Sequence, residues 1–171
     1  MDVNLTQTHS YTDSACNMVN INVIETLEVK FIKTHQDAIL PKKNHPGHLI
    51  GDAGYDIFCV DQVIVPPRGS AIAPVGLKLG YITPGYWFRI EPRSGLGFKK
   101  NIQPHLGIID NPYRGDMGIK LYNFSDVPVT IDKGVAVAQF IIYKMNDAIV
   151  SWTDVADATE RGEKGFGTSG V

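Results

Sequence analysis

The chain has 171 residues, and its 16 Lys and Arg against 18 Asp and Glu give a formal net charge of −2. This balance predicts neither a nucleic-acid nor a membrane partner, and the length fits one domain with a buried core. Two cysteines, Cys16 and Cys59, are too few for a disulfide framework and indicate a reducing compartment. No apolar run approaches the roughly 18 residues of a membrane helix, and the first 26 residues contain no Lys or Arg for a targeting signal. We therefore expect a cytoplasmic or otherwise soluble intracellular protein.

Residues 1–25 are rich in Asn, Thr and Ser without a clear period, and we interpret them as an N-terminal extension, either a disordered tail or a loosely attached strand. From Leu27 onward, apolar and polar residues alternate with the period of a half-buried strand. The loop that follows carries three histidines without the spacing of a helical metal pair, so surface positions are favoured. Gly and Pro separate the further predicted strands, which are 52–60 with its leading turn, 62–65, 70–79, 86–91, 118–124, 127–131 and 135–143.

These short strands predict the fold class. Turn signals recurring roughly every 8 to 12 residues are typical of a β-sandwich or barrel rather than of alternating strands and helices. The apolar run 135–143 suits a strand buried on both faces. Helical turns are predicted only at 95–100 and 154–160. We expect one all-β domain over residues 26–155, followed by a flexible glycine-rich arm, residues 156–171.

Two stretches have the composition of an anion-binding site. Arg93, Ser94 and Gly95 combine a cation, a hydroxyl and a glycine, which can hold a phosphate if a helical turn begins there; a capped strand end fits equally well. In the closing segment, Arg161 and Phe166 stand among four glycines. Such a backbone can wrap closely around an anion while the ring covers a planar ligand, although a tail without function is the alternative.

Two carboxylates and one amide have constrained surroundings. Asp110 lies between the apolar Gly107-Ile108-Ile109 and the turn signal Asn111-Pro112, so we expect a partly desolvated edge position where proton affinity can be tuned. Asp56 is similarly placed, although turn capping is the commoner role of such residues. Gln139 sits in an apolar strand, and its amide must find hydrogen-bond partners when buried.

Five stretches, taken in order, resemble the five motifs of the trimeric dUTPases over about residues 27–171. Pro112, Ala136 and Lys164 depart from the usual motif residues. The stretches are Ala53-Gly54-Tyr55-Asp56; Pro92-Arg93-Ser94-Gly95-Leu96; Gly107-Ile108-Ile109-Asp110 with Tyr113-Arg114-Gly115; Gly134 with Ala138-Gln139; and Arg161-Gly162 with Gly165-Phe166-Gly167-Thr168-Ser169-Gly170.

The resemblance implies a jelly-roll-like β domain that forms a homotrimer, with active sites at the subunit interfaces and a swapped C-terminal arm closing over a neighbour's site. The implied reaction is Mg²⁺-assisted hydrolysis of dUTP to dUMP and diphosphate, which limits uracil in DNA and supplies dUMP for dTMP synthesis. The metal is expected to be bound mainly by triphosphate oxygens and water. Asp56 would meet it through water only.

The resemblance also implies residue roles. Asp110 would be the general base that activates water for in-line attack on the α-phosphorus. Tyr113 would lie under the deoxyribose and exclude a 2′-hydroxyl. Backbone groups of the hairpin from Pro104, including Gly107, Ile108 and Ile109, would read the uracil edge. The remaining groups would hold phosphates, except Phe166, which would stack on uracil; the phosphate-binding residues are Arg93, Ser94, Gly95, Gln139, Arg161, Gly167, Thr168 and Ser169.

Two alternatives share this fold. A dCTP deaminase relies on a glutamate at the position of Lys120, and a lysine cannot act as that base at neutral pH. A regulatory nucleotide-binding protein without activity is disfavoured because Asp110, Tyr113, Ser94 and Phe166 are all present. Regulation in addition to catalysis stays open, with the N-terminal extension as a candidate surface for a protein partner.

Overall fold

The computed structural model describes residues 4–12, 18–47, 50–160 and 162–163, with side chains from residue 26 onward. Within these residues the chain forms twelve strands and one short helix. In chain order they are β1 (Asn4–Thr12), β2 (Met18–Thr26), β3 (Val29–Lys33), β4 (Tyr55–Phe58), β5 (Val63–Val65), β6 (Ser70–Ile82), β7 (Tyr86–Glu91), α1 (Ser94–Lys100), β8 (Ile102–Pro104), β9 (Ile108–Ile109), β10 (Asp116–Asn123), β11 (Val129–Ile131) and β12 (Ala136–Lys144).

Two four-stranded antiparallel sheets enclose the core, in the strand orders β3-β6-β10-β8 and β4-β12-β7-β9. Leu79 and Leu121 of the first sheet share one buried cluster with Phe88 and Phe140 of the second. Along β7, buried and half-buried residues alternate, because successive side chains of a strand point to opposite faces. The arrangement confirms the predicted all-β, jelly-roll-like fold.

Two strand pairs lie outside these sheets. β11 pairs with β5, and β1 pairs with β2 over their full lengths. The β1–β2 hairpin occupies the segment for which we predicted a tail or a loosely attached strand.

The predicted strand 86–91 coincides with β7, whereas other boundaries differ for identifiable reasons. β6 continues beyond Leu79 to Ile82, because Gly80 is accommodated as a bulge: Lys30 pairs with Tyr81 and the next residue, Phe31, pairs with Leu79. β12 is fully buried only at its start, since Ala136, Val137 and Ala138 are all buried, whereas Gln139, Ile141 and Tyr143 further along are half-buried.

The predicted helical turn at 154–160 is wrong. Residues 145–159 form neither helix nor strand, and their apolar side chains are exposed: Ile149 by 99%, Val150 by 93% and Trp152 by 102%. Among the described residues, therefore, this segment has no buried face that could stabilise a helix.

Cys59 is a buried free thiol, as expected for an ordinary core cysteine. Burial raises the pKa of the Cys59 thiol, and its Sγ donates to the backbone carbonyls of Asp132 and Val135. Cys16 lies outside the described residues. Among those residues, no helix is long and apolar enough to span a bilayer.

Candidate active site

Asp56 is a buried carboxylate on β4, an edge strand, and it is 5% exposed. Arg93 binds it with two parallel hydrogen bonds, from Nε to Oδ1 at 2.7 Å and from Nη2 to Oδ2 at 2.8 Å. The amide of Asn44 donates a third hydrogen bond to Oδ2 at 2.7 Å. A carboxylate out of water needs such charge-assisted partners, so Asp56 and Arg93 form one structural unit.

Arg93 links three parts of the site. Pro92 separates it from β7, its backbone is extended, and α1 begins at the next residue. Besides Asp56, its guanidinium donates from Nη1 to the carbonyl of Ala136 at 3.1 Å, at the bulge of β12. A guanidinium has five N–H groups, so after these three bonds two donors remain for a ligand.

Replacing Asp56 with Asn is expected to lower the free energy of unfolding by about 3 kcal/mol, because Arg93 then loses its buried counter-charge. The matched control is Asp126→Asn, which breaks the exposed pair between Asp126 and Arg68 and should cost less than about 1 kcal/mol. Urea unfolding at one fixed protomer concentration measures both. Equal effects of the two substitutions would contradict the structural role of the Asp56 pair.

Gln139 lies beside Asp56 on the neighbouring strand, with Glu91 on its other side. Its Nε2 donates to the carbonyl of Pro92 at 2.8 Å, which confirms that the amide finds a partner. Gly54 permits this position, since an added Cβ would lie 2.1 Å from Oε1 of Gln139. A side chain at position 54, two residues before Asp56, would displace the Gln139 amide from this position.

A polar cleft runs along this cluster. It consists of two adjoining hollows that share Arg93, Ser94 and Gln139. Ser94 and Gly95 are exposed at its floor, so their polar groups face a ligand rather than the core. The first hollow is also lined by Pro92, Gly97, Phe98 and Gln103, and the second by Asn44, His45, Asp52, Gly54, Asp56 and Gly95.

Asp110 follows β9 in a loop that Asn111 fixes. The Asn111 amide lies within hydrogen-bond distance of the carbonyls of Ile82, Thr83 and Tyr86, at 3.0 to 3.3 Å. Asp110 itself is exposed in the single chain. The expected partial desolvation of Asp110 is therefore not found in this chain, because no element among the described residues covers the loop.

Tyr113 is next to this loop. Its hydroxyl donates to the carbonyl of Asp116 at 2.9 Å. Gly115 allows the ring to fold over it, because a Cβ there would lie 2.6 Å from the Tyr113 oxygen. On the preceding hairpin Ile108 is 62% exposed, and the carbonyl of Gly107 is already used by the N–H of Ile90. The hairpin thus presents apolar surface beside Asp110 and Tyr113.

Asp110 and Asp56 lie at opposite edges of one sheet. Asp56 is on β4, and Asp110 follows β9, with β12 and β7 between them, so three strand spacings separate them by roughly 14 Å. Glu91 of β7 and Asp56 of β4 lie level with each other across the sheet, because both pair with Gln139 of β12. At the other edge, Ile109 pairs with Phe88 of β7, and Asp110 is the next residue after Ile109. This offset of about four residues adds roughly 13 Å, giving roughly 20 Å between the carboxylates.

The structure thus brings together Asp56, Arg93, Ser94, Gly95 and Gln139, and it places Asp110, Tyr113 and the hairpin elsewhere on the same chain. Arg161, Phe166, Gly167, Thr168 and Ser169 lie outside the described residues. Sequence reasoning missed Asn44 and Asn111, which hold Asp56 and the Asp110 loop. Asn44 carries no signal in the sequence, whereas Asn111 was visible only as part of a turn.

The fold and the cleft define the class as a β-sandwich protein with a surface cleft beside the ion pair of Asp56 and Arg93, and comparison with known proteins defines the family. The family model for dUTPase matches residues 37–170. Deoxyuridine 5′-triphosphate nucleotidohydrolase of Oryza sativa subsp. japonica is 40% identical over 149 residues, 87% of this chain and 83% of the relative. The mitochondrial counterpart in Dictyostelium discoideum is 39% identical, over 86% of this chain and 78% of the relative. The chain belongs to the dUTPase family.

Solved structures agree. The dUTPase of Staphylococcus bacteriophage 80alpha with dUPNHPP has a TM-score of 0.73 at 26% identity, covering 84% of this chain and 99% of that chain. A mutant dUTPase of phage phi11 of S. aureus, described with a structural Mg(II) ion, has a TM-score of 0.66 at 22% identity over 77% of this chain and 99% of that chain. The second likeness supports the fold alone.

Proposed function

We propose that this protein hydrolyses dUTP to dUMP and diphosphate in active sites shared between subunits, and so limits uracil in DNA and supplies dUMP for dTMP synthesis. For a member of this family, one observation supports the proposal most strongly. Asp56, at the proposed phosphate cleft, and Asp110 are both present, but they lie roughly 20 Å apart on one chain. A nucleotide whose α-phosphorus lies beside Asp110, the proposed general base, cannot also reach phosphate-binding residues roughly 20 Å away. The cleft of one subunit must therefore face the Asp110 loop of another.

In the cleft, Ser94, Gly95 and the two remaining N–H groups of Arg93 bind phosphate oxygens. Gln139 orders water and phosphate with the part of its amide that Pro92 does not use. Arg161 and the backbone of Gly167-Thr168-Ser169 close on the γ-phosphate from a neighbouring chain. Together these donors orient the triphosphate for attack at its α-phosphorus.

Mg²⁺ fits this site as an ion carried by the substrate. Within the described residues, no group of three His, Cys, Asp or Glu is placed to hold a metal, and the Asp56 oxygens already accept three hydrogen bonds. One acceptor position on Asp56 remains for a metal-bound water. When bound to triphosphate oxygens, Mg²⁺ supplies charge neutralisation.

Asp110 is the general base. It holds a water in line with the bond between the α-phosphorus and its bridging oxygen, and accepts a proton as the water oxygen attacks the phosphorus. The bridging bond breaks, and diphosphate leaves with the bonding electrons. In the assembled site the neighbouring subunit covers Asp110, which is exposed in one chain.

The base and sugar are selected beside Asp110. Backbone groups of the hairpin Pro104–Ile109 pair with the uracil edge, and a wrong base leaves buried donors unpaired. Tyr113 packs under the deoxyribose and leaves no room for a 2′-hydroxyl. Phe166 of an arm stacks over the uracil.

Exposed apolar surfaces support a homotrimer with swapped arms. Ile149, Val150 and Trp152 of the segment after β12 contact no core in their own chain, and exposed apolar groups of this size are typical of an interface. A groove on the same chain offers a place for such a segment from a neighbour; it is lined by Leu27, Val29, Phe31, Leu40, Pro41, Tyr55, Phe140 and Ile142.

The test is diphosphate release from dUTP, dTTP, dCTP and UTP with Mg²⁺, with ammonia release from dCTP measured in parallel. We expect turnover of dUTP alone. Ammonia from dCTP would favour a deaminase, and nucleotide binding without turnover would favour a regulatory protein. Neither outcome is expected: Lys120 occupies the position of the deaminase glutamate, and the proposed catalytic and binding residues Asp110, Tyr113, Ser94 and Phe166 are all present.

The N-terminal segment is proposed as a separate partner surface. Its β1–β2 hairpin lies outside the two main sheets and before residue 37, where the family match begins. We further propose that residues 26–155 form the catalytic domain and residues 156–171 the arm, and that the protein is cytoplasmic or otherwise soluble and intracellular.

A further inference from the structure

The loop between β3 and β4 places His45 on the wall of the phosphate cleft, where the proposed function gives it no role. Its neighbours on that wall include Ser94 and Gly95. The preceding residue, Asn44, fixes the loop to the cleft, because its amide donates to Asp56. His45 is therefore held beside the residues that bind phosphate.

Asp52 holds the imidazole of His45 on one side. Nδ1 of the ring lies 3.2 and 3.3 Å from the two carboxylate oxygens. The backbone N–H of His45 donates to the same carboxylate at 2.9 Å, and the N–H of Asp52 donates back to the His45 carbonyl at 3.0 Å. Gly51 permits this pairing, since an added Cβ would lie 2.6 Å from that carbonyl oxygen.

The other ring nitrogen, Nε2, is available to a ligand. The His45 side chain is 85% exposed, and Nε2 has no hydrogen-bond partner among the side chains and backbone that the structure describes. Because an ionised carboxylate can only accept hydrogen bonds, Nδ1 must carry a proton and donate it in the hydrogen bond to Asp52. The neutral ring then presents a lone pair at Nε2, and only the imidazolium presents an N–H that can bind an anion.

The charges around this hollow favour the protonated form when an anion binds. Its charged lining residues are Asp52, Asp56, Arg93 and His45. With a neutral His45, the lining carries two carboxylates and only one guanidinium. This net negative charge repels an incoming phosphate. Protonation removes this excess of negative charge and supplies the donor in one step.

We propose that His45 is a further phosphate-binding residue, which as an imidazolium bridges Asp52 and a phosphate oxygen of the nucleotide or of released diphosphate. The identity of the ligand rests on the proposed function. The ring lies between two anionic groups only in the complex, so binding takes up a proton at His45.

The test titrates inorganic diphosphate into the assembled protein by calorimetry near neutral pH. Buffers of different ionisation enthalpy report the proton uptake. His45→Gln should weaken binding about tenfold and reduce proton uptake by up to about one proton. His45→Lys, which keeps a cation, should retain most affinity without the uptake.

The matched control is His35→Gln. His35 also lies near an aspartate, Asp37, but it lines a different hollow with Lys78 and Asp116. The His35→Gln variant should therefore bind diphosphate with the affinity and the proton uptake of the wild type. Unchanged affinity in His45→Gln, or weaker binding with unchanged proton uptake, would overturn the role of His45. Turnover of dUTP by the wild type is measured separately, so its absence would refute the proposed function alone.

Discussion

Asp110→Asn is expected to lower kcat for dUTP by roughly 10²- to 10⁴-fold while folding and nucleotide binding stay nearly unchanged. An amide keeps the size of the carboxylate but cannot accept the proton of the attacking water. The side chain is exposed in one chain, and its loop is fixed by Asn111 instead. The substitution should therefore remove chemistry without removing structure.

Steady-state kinetics and thermal melting measure these effects. The matched control is Asp116→Asn. Asp116 begins β10, six residues after Asp110, and its carboxylate lies 3.5 Å from the Lys78 ammonium at the surface. It should turn over dUTP like the wild type. If Asp110→Asn retains most activity, Asp110 is not the general base.

Removal of residues 161–171 is expected to leave a folded trimer with at least roughly a hundredfold lower kcat/KM for dUTP. The truncation removes Arg161 and Phe166, which we propose to bind the γ-phosphate and to stack over the uracil, respectively. The core ends with β12 at Lys144, so its sheets do not depend on the deleted segment.

Light scattering and melting report the assembly, and diphosphate release reports the activity. Phe166→Ala and Arg161→Ala in the full chain divide the loss between stacking and phosphate binding. A truncated trimer with wild-type kinetics would rule out the closing role of the arm.

Much of the fold was predictable, because alternation and turn residues specify each strand locally. β7 is the clearest case, since Pro84-Gly85 and Pro92 delimit it. Local rules failed at Gly80, which separates strands in the sequence but forms a bulge inside β6. They also failed at 154–160, where the described residues provide no buried face to support a helix.

The candidate site was predictable only in parts. The motifs identified Asp56 and Arg93, but not the ion pair that joins them across 37 positions of sequence, because such a pair depends on the sheet order. The role of Asn44 was invisible for the same reason. The desolvation expected for Asp110 was not found, because a local sequence pattern does not specify which elements pack over a loop.

The most direct test of the shared site is complementation between two inactive variants. Asp110→Asn chains and chains truncated before Arg161 are co-expressed with different tags, and mixed trimers are isolated by both tags. If Asp110 and the arm of one site come from different subunits, about one third of the sites in each mixed trimer are complete. We expect dUTP hydrolysis at about one third of the wild-type rate. A rate no higher than that of either variant alone would contradict the account.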